Sequence, residues 1–393
     1  MIKMKPIKEQ NIKNYGIVMI LLALLCGCSK PNTVELLYLK GGKTYQKKIL
    51  ADDYLNQDKK IQTQYIDSVR FSILDSISFE NNNPDNDIEY STPVKLDFSK
   101  KIERYSPEYY TLATVYYTNK AENYYNSVFD GKIDFNSQEN GKIIDVIFGD
   151  IGLLSSGHKF IIKEGSLLSP SIFYHEIGHR AFWYLVGNLK IKLGWSLTYV
   201  HMGLLEYFTT SLNNFPIIGE GVLPPKIIRN ATLPCHYPIS DSLSIKVLLQ
   251  LLKESFPEEM KDSTNNISRY INLTTEAYGK YDIYDNHRAA MLVTAPLWRI
   301  REELGQEKTD KLVAQTILNL NKSLSLRPQF YKADKDETLS ENIDWFDLVF
   351  GLIQKDKELF TGNNEALIRN EFKKNGFPVE KIQSAIVNNN PDK

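Results

Sequence analysis

A helix predicted at Pro170–Val186 constrains the fold of this 393-residue chain more than any other segment. Ser169 suits the N-cap, Pro170 suits the first helical position, and Gly187 supplies a stop. Apolar side chains cover most of the circumference of the helix, at Ile172, Phe173, Ile177, Ala181, Phe182 and Leu185. Because such a helix must be covered on nearly every side, we expect it to lie inside the protein.

Three residues in the middle of this helix, His175, Glu176 and His179, are the candidates for chemistry. Histidines four positions apart differ in direction by only about 40°, so His175 and His179 project from one face and can bind one metal ion. Glu176 lies beside them and could accept a proton from a water molecule activated by that ion. The spacing is therefore typical of zinc hydrolases. Two hydrogen-bonded core histidines in a buried helix are the alternative.

A hydrolytic zinc site needs a third protein ligand and one position for water. Residues 180–190 contain no histidine, and the next histidine along the chain is His201. Glu206 is the stronger candidate, because it lies in a second apolar helix predicted at Leu197–Leu212, where an unpaired carboxylate would be costly to bury. Zinc ligation by His201 and a surface position for Glu206 stay open as alternatives. We expect one Zn²⁺ per chain.

The sequence His-Glu-Ile-Gly-His at 175–179, followed by Gly203-Leu204-Leu205-Glu206, resembles the gluzincin peptidases, especially the thermolysin-like and fungalysin-like groups. The resemblance extends to Asp285-Asn286-His287, which precedes a helix predicted at Arg288–Leu304, and to Glu365–Pro378. It implies an α+β fold with two lobes, in which a mixed α/β N-terminal lobe carries the zinc-binding helix and the C-terminal lobe is mainly helical.

The resemblance also implies a role for each candidate residue. His175, His179 and Glu206 would hold the zinc ion. Glu176 would be the general base and later the proton donor, and His287 would donate a hydrogen bond to the oxyanion. A surface histidine in a polar loop is the alternative for His287.

The sequence departs from the gluzincin pattern at Thr210. The family often places an aspartate there, four residues after the glutamate ligand, as a hydrogen-bond partner for a zinc-binding histidine. Another group must then hold His175 or His179, or the site binds metal less tightly. Asp282 or Asp285 could orient the ring of His287.

The N-terminal 28 residues are predicted to be a targeting segment. Four lysines precede an apolar run at Tyr15–Leu25, which has the length of a signal-peptide core. The run closes with Leu25-Cys26-Gly27-Cys28, which resembles the bacterial lipobox. We therefore expect cleavage of residues 1–27, lipidation of Cys28, and a lipid-anchored protein of the bacterial cell envelope, with the outer membrane as the expected location. An ordinary cleaved signal or a short anchor helix is the alternative.

Charge and cysteine content exclude other classes. The 47 basic and 48 acidic residues nearly cancel, and no basic stripe is present, so we expect no nucleic-acid partner. Only Cys28 and Cys235 remain after processing, so a lipidated Cys28 leaves no internal disulfide framework.

Hydrophobic patterns divide the mature chain into three parts: a strand-rich segment at 28–103, an N-terminal lobe at 104–215 and a helical C-terminal lobe at 216–393. The first segment could be a tether, a small β domain or the outer strands of the catalytic lobe. Strands are predicted at Thr33–Leu39, Val69–Leu74, Val94–Phe98, Thr111–Tyr117, Ile143–Phe148 and Lys159–Lys163. Further helices are predicted at Asn119–Phe129, Asp241–Phe256, Glu307–Leu320 and Glu365–Asn375.

These expectations combine into a zinc-dependent endopeptidase that acts on proteins or peptides. The substrate would extend along an edge strand, either Ile143–Phe148 or Lys159–Lys163. A catalytically inactive, lipid-anchored binding protein that retains a gluzincin fold and a structural zinc ion is the alternative.

Overall fold

The computed structural model describes residues 32–74, 91–137, 142–149, 154–156, 159–163, 165–193, 199–223, 229–233, 283–325, 343, 345–380 and 382. Helices and strands are intermixed along these residues, which confirms the α+β class. Cys28, Cys235 and the helix predicted at Asp241–Phe256 lie outside the described residues. In the described part of the chain, no helix is both long enough and apolar enough to cross a bilayer.

A five-stranded mixed sheet forms the β layer, in the order β4-β3-β5-β7-β6. Its strands are β3 (Ser68–Leu74), β4 (Ser91–Val94), β5 (Ile143–Phe148), β6 (Leu154–Ser156) and β7 (Lys159–Ile162). The three central strands are mutually parallel, whereas β4 and β6 run antiparallel at the two ends. The strands β3 and β4, from the segment at 28–103, therefore belong to the same sheet as β5, β6 and β7.

The strands expected to receive an extended substrate are not edges of the sheet. The strand β5 pairs with β3 and β7, and β7 pairs with β5 and β6. Their backbone hydrogen-bonding groups are therefore already used on both sides, and the expectation for Ile143–Phe148 and Lys159–Lys163 is wrong. On this side the described sheet ends at β6. The strand predicted at Val94–Phe98 is also wrong, because β4 ends at Val94.

The segment Thr111–Tyr117 is helical, contrary to the predicted strand. It lies inside α1 (Pro107–Val128), which begins where the Ser106 side chain accepts a hydrogen bond from the backbone N–H of Tyr109 at 3.2 Å. Residues 109–115 are all buried, so this stretch of the helix is covered on every side, whereas Lys120, Asn123 and Ser127 further along are exposed. Burial here outweighs the strand preference of β-branched and aromatic residues.

Two helices carry the candidate site. The helix α2 (Pro170–Gly187) confirms the predicted bounds to within one residue and is buried along most of its length. Ser169 is its N-cap residue, but the hydroxyl of Ser169 lies 3.0 Å from that of Ser171 and caps no backbone N–H. The helix α3 (Tyr199–Asn213) packs against it.

The remaining described helices cover α3 and one another. They are α4 (Ile283–Leu304), α5 (Gln306–Leu318), α6 (Leu320–Ser325), α7 (Trp345–Phe360) and α8 (Glu365–Lys374). Pro296 lies inside α4, which continues through it. The helix α7 has no counterpart among the predicted helices. The apolar core runs without interruption from the first strand to the last helices.

A separate hairpin precedes the sheet. Its strands, β1 (Thr33–Lys40) and β2 (Lys43–Leu50), pair only with each other among the described strands. Glu220, in the loop after the two-residue strand β8 (Ile217–Ile218), accepts hydrogen bonds from the backbone N–H groups of Gly41 and Gly42 at the tip of the hairpin. The hairpin is therefore fixed to the chain that follows α3.

Candidate metal centre

The two histidines of α2 bring their Nε2 atoms together. These atoms lie 3.2 Å apart, and the two rings are nearly perpendicular with centroids 4.7 Å apart. Two nitrogen ligands on one tetrahedral zinc ion, each about 2.0–2.1 Å from it, lie about 3.3–3.4 Å apart. The separation between His175 and His179 is therefore close to that of two ligands of one ion, and it also fits a hydrogen bond between the two rings.

Gly178 allows the neighbouring helices to approach the turn that carries these histidines. A Cβ atom at this position would lie 2.5 Å from Oη of Tyr125 on α1 and 3.1 Å from Cγ of Leu205 on α3. Any larger residue would have to displace the Tyr125 side chain or one of these helices. The glycine inside His-Glu-Ile-Gly-His thus brings α3, and with it the residue after Leu205, close to the histidines.

That residue is Glu206, whose side chain is fully buried. Its Oε1 atom accepts a hydrogen bond from Nη1 of Arg229 at 3.0 Å, and the same Nη1 atom lies 3.4 Å from Nδ1 of His175. One guanidinium nitrogen therefore bridges the candidate glutamate and one candidate histidine. A surface position for Glu206 is wrong.

His201 points to a different part of the core. Its ring is 1% exposed and lies against Phe182, with centroids 5.1 Å apart. His201 and Glu206 are five positions apart on α3, which separates their directions by about 140°. Glu206 is linked to His175 through Arg229.

Arg229 is the residue that the sequence did not reveal. It lies in the two-residue strand β9 (Arg229–Asn230), which pairs with β8, and its side chain is 11% exposed. An isolated arginine 23 positions after Glu206 forms no recognisable pattern, so no signal in the sequence could have identified it.

Both carboxyl groups of the site are affected by burial. Burial raises the pKa of Glu176 to about 8, and the positive charge of Arg229 opposes this rise. Burial likewise raises the pKa of Glu206 to about 8, against the charge and hydrogen bond of Arg229. Arg229 is thus the cation that the two carboxyl groups share.

Thr210 does not replace the aspartate that the family pattern places there. Its hydroxyl group donates to the backbone oxygen of Tyr207, 2.8 Å away and on the same helix. The contact to Nδ1 of His175 comes instead from Arg229. Arg229, a hydrogen-bond donor, therefore contacts the histidine that the family pattern would pair with a carboxylate acceptor.

His179 borders the solvent-facing side of the site. Its ring stacks on Trp183, one helical turn further along α2, with centroids 5.9 Å apart. Trp183 is 47% exposed, which is unusual for a residue of this buried helix. The His175 side of the pair is closed by protein, and the His179 side is the one nearer to solvent.

His287 lies within α4, as its fifth residue, and not in a loop before the helix. Asp285 is in the same first turns, while Asp282 lies outside the described residues. The helix α4 packs closely on α3, since a Cβ atom at Gly203 would lie 2.6 Å from the backbone oxygen of Ala290. The role of His287 at the site stays a prediction.

A buried polar network links α3 to α1, α4 and α5. Asp310 on α5 accepts hydrogen bonds from Tyr124, Tyr207 and Ser211, at 2.8, 2.7 and 2.7 Å. Arg301 on α4 donates to the hydroxyl oxygen of Ser211 at 3.0 Å. Tyr207 directly follows Glu206, so the network limits rotation of α3 about its axis and the direction in which Glu206 points.

The residue types at the site suit zinc, and one feature works against it. Histidine nitrogen and glutamate oxygen are the donors of hydrolytic zinc sites, and the separation of the two histidines fits. Within the described ranges, however, no group of three or more His, Cys, Asp or Glu residues is close enough to hold a metal ion in the present arrangement. Arg229 already contacts Glu206 and His175, so these residues would hold zinc only after a shift in that contact.

Comparison with known proteins does not assign the chain to a family. A scan against protein-family models matches none of them, and a search of curated proteins finds no match. The similarity to gluzincins therefore stays a prediction that rests on the residues named above.

Proposed function

We propose that this chain is a zinc-dependent endopeptidase of the gluzincin type, with His175, His179 and Glu206 as the zinc ligands. The observation that carries the proposal is the 3.2 Å separation of the two Nε2 atoms, with buried Glu206 joined to His175 through Arg229. Two potential ligands on α2 thus lie side by side, and the third, on α3, is linked to one of them through Arg229. The two-lobed zincin architecture is part of the same proposal.

Zinc, when bound, supplies Lewis acidity toward water and toward the carbonyl group of the substrate. Glu176 accepts a proton from the water whose oxygen bonds to the carbonyl carbon. Glu176 then delivers this proton to the amine nitrogen as the carbon–nitrogen bond breaks. His287 donates a hydrogen bond to the developing oxyanion, a contribution of about 3 kcal/mol when such a donor is well placed.

A peptide substrate is proposed to bind in extended form at β6 (Leu154–Ser156). This strand ends the described sheet beside β7, whereas β5 and β7 have partners on both sides. An extended peptide can add to such an edge through backbone hydrogen bonds.

Replacement of the proposed base tests the mechanism. Glu176→Gln should keep about one zinc per chain while hydrolysis of a denatured-protein substrate is abolished. Glu302→Gln removes the same charge from an exposed position on α4 and should leave both measurements unchanged. Cleavage by the Glu176 variant at the parent rate would refute this mechanism.

Attachment to the bacterial envelope is a separate part of the proposal. Cys28 would carry the lipid after removal of residues 1–27, and the protein would then sit on the membrane as a lipoprotein. Cells fed a radiolabelled fatty acid should label the parent but not Cys28→Ala. Label on the Cys28→Ala protein would show that Cys28 is not the attachment site.

Arg229 favours a second candidate function. A cation in contact with Glu206 and His175 opposes a dication at the same place, so it argues against zinc-dependent catalysis and favours a catalytically inactive, lipid-anchored binding protein. Cleavage of a denatured protein that stops when a chelator is added and returns with zinc supports the peptidase. A zinc-loaded chain that never cleaves supports the binding protein.

A further inference from the structure

Arg229 contacts two proposed ligands with one atom. Its Nη1 lies 3.0 Å from Oε1 of Glu206 and 3.4 Å from Nδ1 of His175. The guanidinium group is mostly buried, and the carboxylate that it contacts is fully buried. Such a pair is screened little by solvent, so the charge of Arg229 acts strongly on its neighbours.

The contact with His175 has a consequence for the opposite nitrogen of the ring. Arginine can only donate hydrogen bonds, so Nδ1 of His175 must be the acceptor. A neutral imidazole then carries its proton on Nε2, which faces Nε2 of His179 at 3.2 Å. A zinc ion would need the lone pair of that same Nε2 atom. Arg229 therefore favours the tautomer of His175 that does not bind metal through Nε2.

The contact between Arg229 and Glu206 also opposes zinc binding. Arg229 compensates the buried carboxylate, which is the electrostatic contribution that a zinc ion would make. Two cations beside one carboxylate repel each other, and the repulsion is large where solvent is excluded. Zinc and Arg229 thus compete for Glu206.

We propose that Arg229 is an internal counter-cation that weakens zinc binding, and that it must release His175 and Glu206 before the ion is bound by all three ligands. This inference rests on the proposed function, because it assumes the zinc site of His175, His179 and Glu206. It adds a control of metal occupancy that the peptidase mechanism does not require.

Zinc affinity of the purified full-length chain provides the test. The protein is stripped with a chelator, and the dissociation constant for zinc alone is measured by competition with a chromogenic chelator. Arg229→Gln should bind zinc more tightly than the parent by on the order of tenfold to a hundredfold, the range over which groups just outside the ligand shell alter affinity. Arg229→Lys, which keeps the charge but cannot bridge both partners equally well, should fall between them.

Arg299→Gln is the matched control. Arg299 also contacts a largely buried carboxylate, with Nε 2.6 Å from an oxygen of Glu371, but this pair joins α4 to α8 away from the histidines. Its replacement should leave zinc affinity unchanged.

A second measurement follows the metal-stripped protein. Without Arg229, the buried Glu206 loses its cation, so Arg229→Gln should melt at a lower temperature than the parent. Added zinc should raise the melting temperature of the variant more than that of the parent. If Arg229→Gln does not fold after stripping, refolding with zinc should recover it. Failure to recover it with zinc, while the parent refolds with zinc, contradicts the proposal.

The outcomes separate the two proposals. Zinc binding by the parent, with unchanged or weaker binding by Arg229→Gln, overturns the role of Arg229 and leaves the peptidase proposal intact. Absence of zinc binding from both proteins overturns both proposals. Zinc binding by Arg229→Gln but not by the parent supports the counter-cation role in its strongest form.

Discussion

Arg180 donates a hydrogen bond from Nη1 to Oε1 of Glu122 at 2.8 Å, and both side chains are almost completely buried. The pair joins α2 to α1, and the guanidinium group also lies 5.6 Å from the ring centre of Phe135. Arg180 directly follows His179. The ion pair therefore fixes α2 at the turn that presents the second candidate ligand.

Removal of one partner of this pair should destabilise the protein strongly. Glu122→Leu removes the buried carboxylate that pairs with Arg180, and we expect a loss of about 3–5 kcal/mol in the free energy of unfolding. The double variant Glu122→Leu with Arg180→Met should regain most of this loss, because both charges of the pair are then removed. Denaturant unfolding of both single variants and the double variant measures the coupling. A double variant no more stable than Glu122→Leu would contradict this interpretation.

Gly178→Ala should destabilise the fold by about 1–3 kcal/mol, because a methyl group at 2.5 Å from Oη of Tyr125 must displace the buried Tyr125 side chain or shift α1 against α2. Tyr125→Phe removes the oxygen atom that the new methyl group would meet. The free energy of unfolding of Gly178→Ala with Tyr125→Phe should therefore exceed the value expected from the two single variants.

Gly187→Ala is the control for this prediction. Gly187 is the last residue of the same helix, and a Cβ atom there would meet nothing within 4 Å. Alanine should raise stability by up to about 1 kcal/mol, since it restricts the unfolded chain and favours the helix. A similar loss at both positions would show that the close contact with Tyr125 is not the cause.

The third ligand can be identified from metal content. Glu206→Ala should lose zinc, whereas His201→Ala should retain about one zinc per chain, because His201 packs against Phe182. Both positions are buried, so a circular dichroism spectrum must first show that each variant is folded. Zinc retained by Glu206→Ala and lost from His201→Ala would reassign the ligand.

Asp97 should titrate at an unusually low pH. The Ser99 hydroxyl group donates to its carboxylate at 2.5 Å and Lys100 lies 2.9 Å away, and these contacts lower the pKa of Asp97 from 3.8 to about 2. Since the folded value is depressed, the stability from this group is present above pH 3.8 and is lost as the pH falls toward 2.

Ser99→Ala should move the pKa of Asp97 back toward its ordinary value, and a carboxyl-carbon NMR titration measures the shift. Ser137→Ala is the control, because the Ser137 hydroxyl donates to the backbone oxygen of Asp134 and not to a carboxylate. An Asp97 pKa that is equal in Ser99→Ala and the parent would exclude the hydroxyl as the main cause.

Local sequence signals predicted the position of the helix that carries His175, Glu176 and His179. Pro170 begins α2 because a proline at the first helical position acts through the backbone alone. The helix includes Gly187 and so ends one residue later than predicted. The spacing of His175 and His179 likewise placed both rings on one face, since helical geometry alone determines it. The strand β1 and the helix α8 were predicted nearly to their observed ends for similar local reasons.

Local signals failed where contacts with distant parts of the chain determine the secondary structure or the position of a strand in the sheet. Thr111–Tyr117 has the composition of a strand, yet it lies in a largely buried stretch of α1, where packing outweighs the preference of each residue. The strands β5 and β7 were identified correctly, but which strands occupy the interior of the sheet depends on pairings between distant segments.

The sequence by itself determined that His175, Glu176 and His179 share one turn of a buried helix, because four residues of helix suffice to fix that geometry. Only the tertiary structure decided that Glu206 is linked to His175, and that Arg229 joins the two. That arrangement depends on how α2, α3 and the β8–β9 hairpin pack together. No short stretch of chain contains these three elements, so no local pattern can encode their contacts.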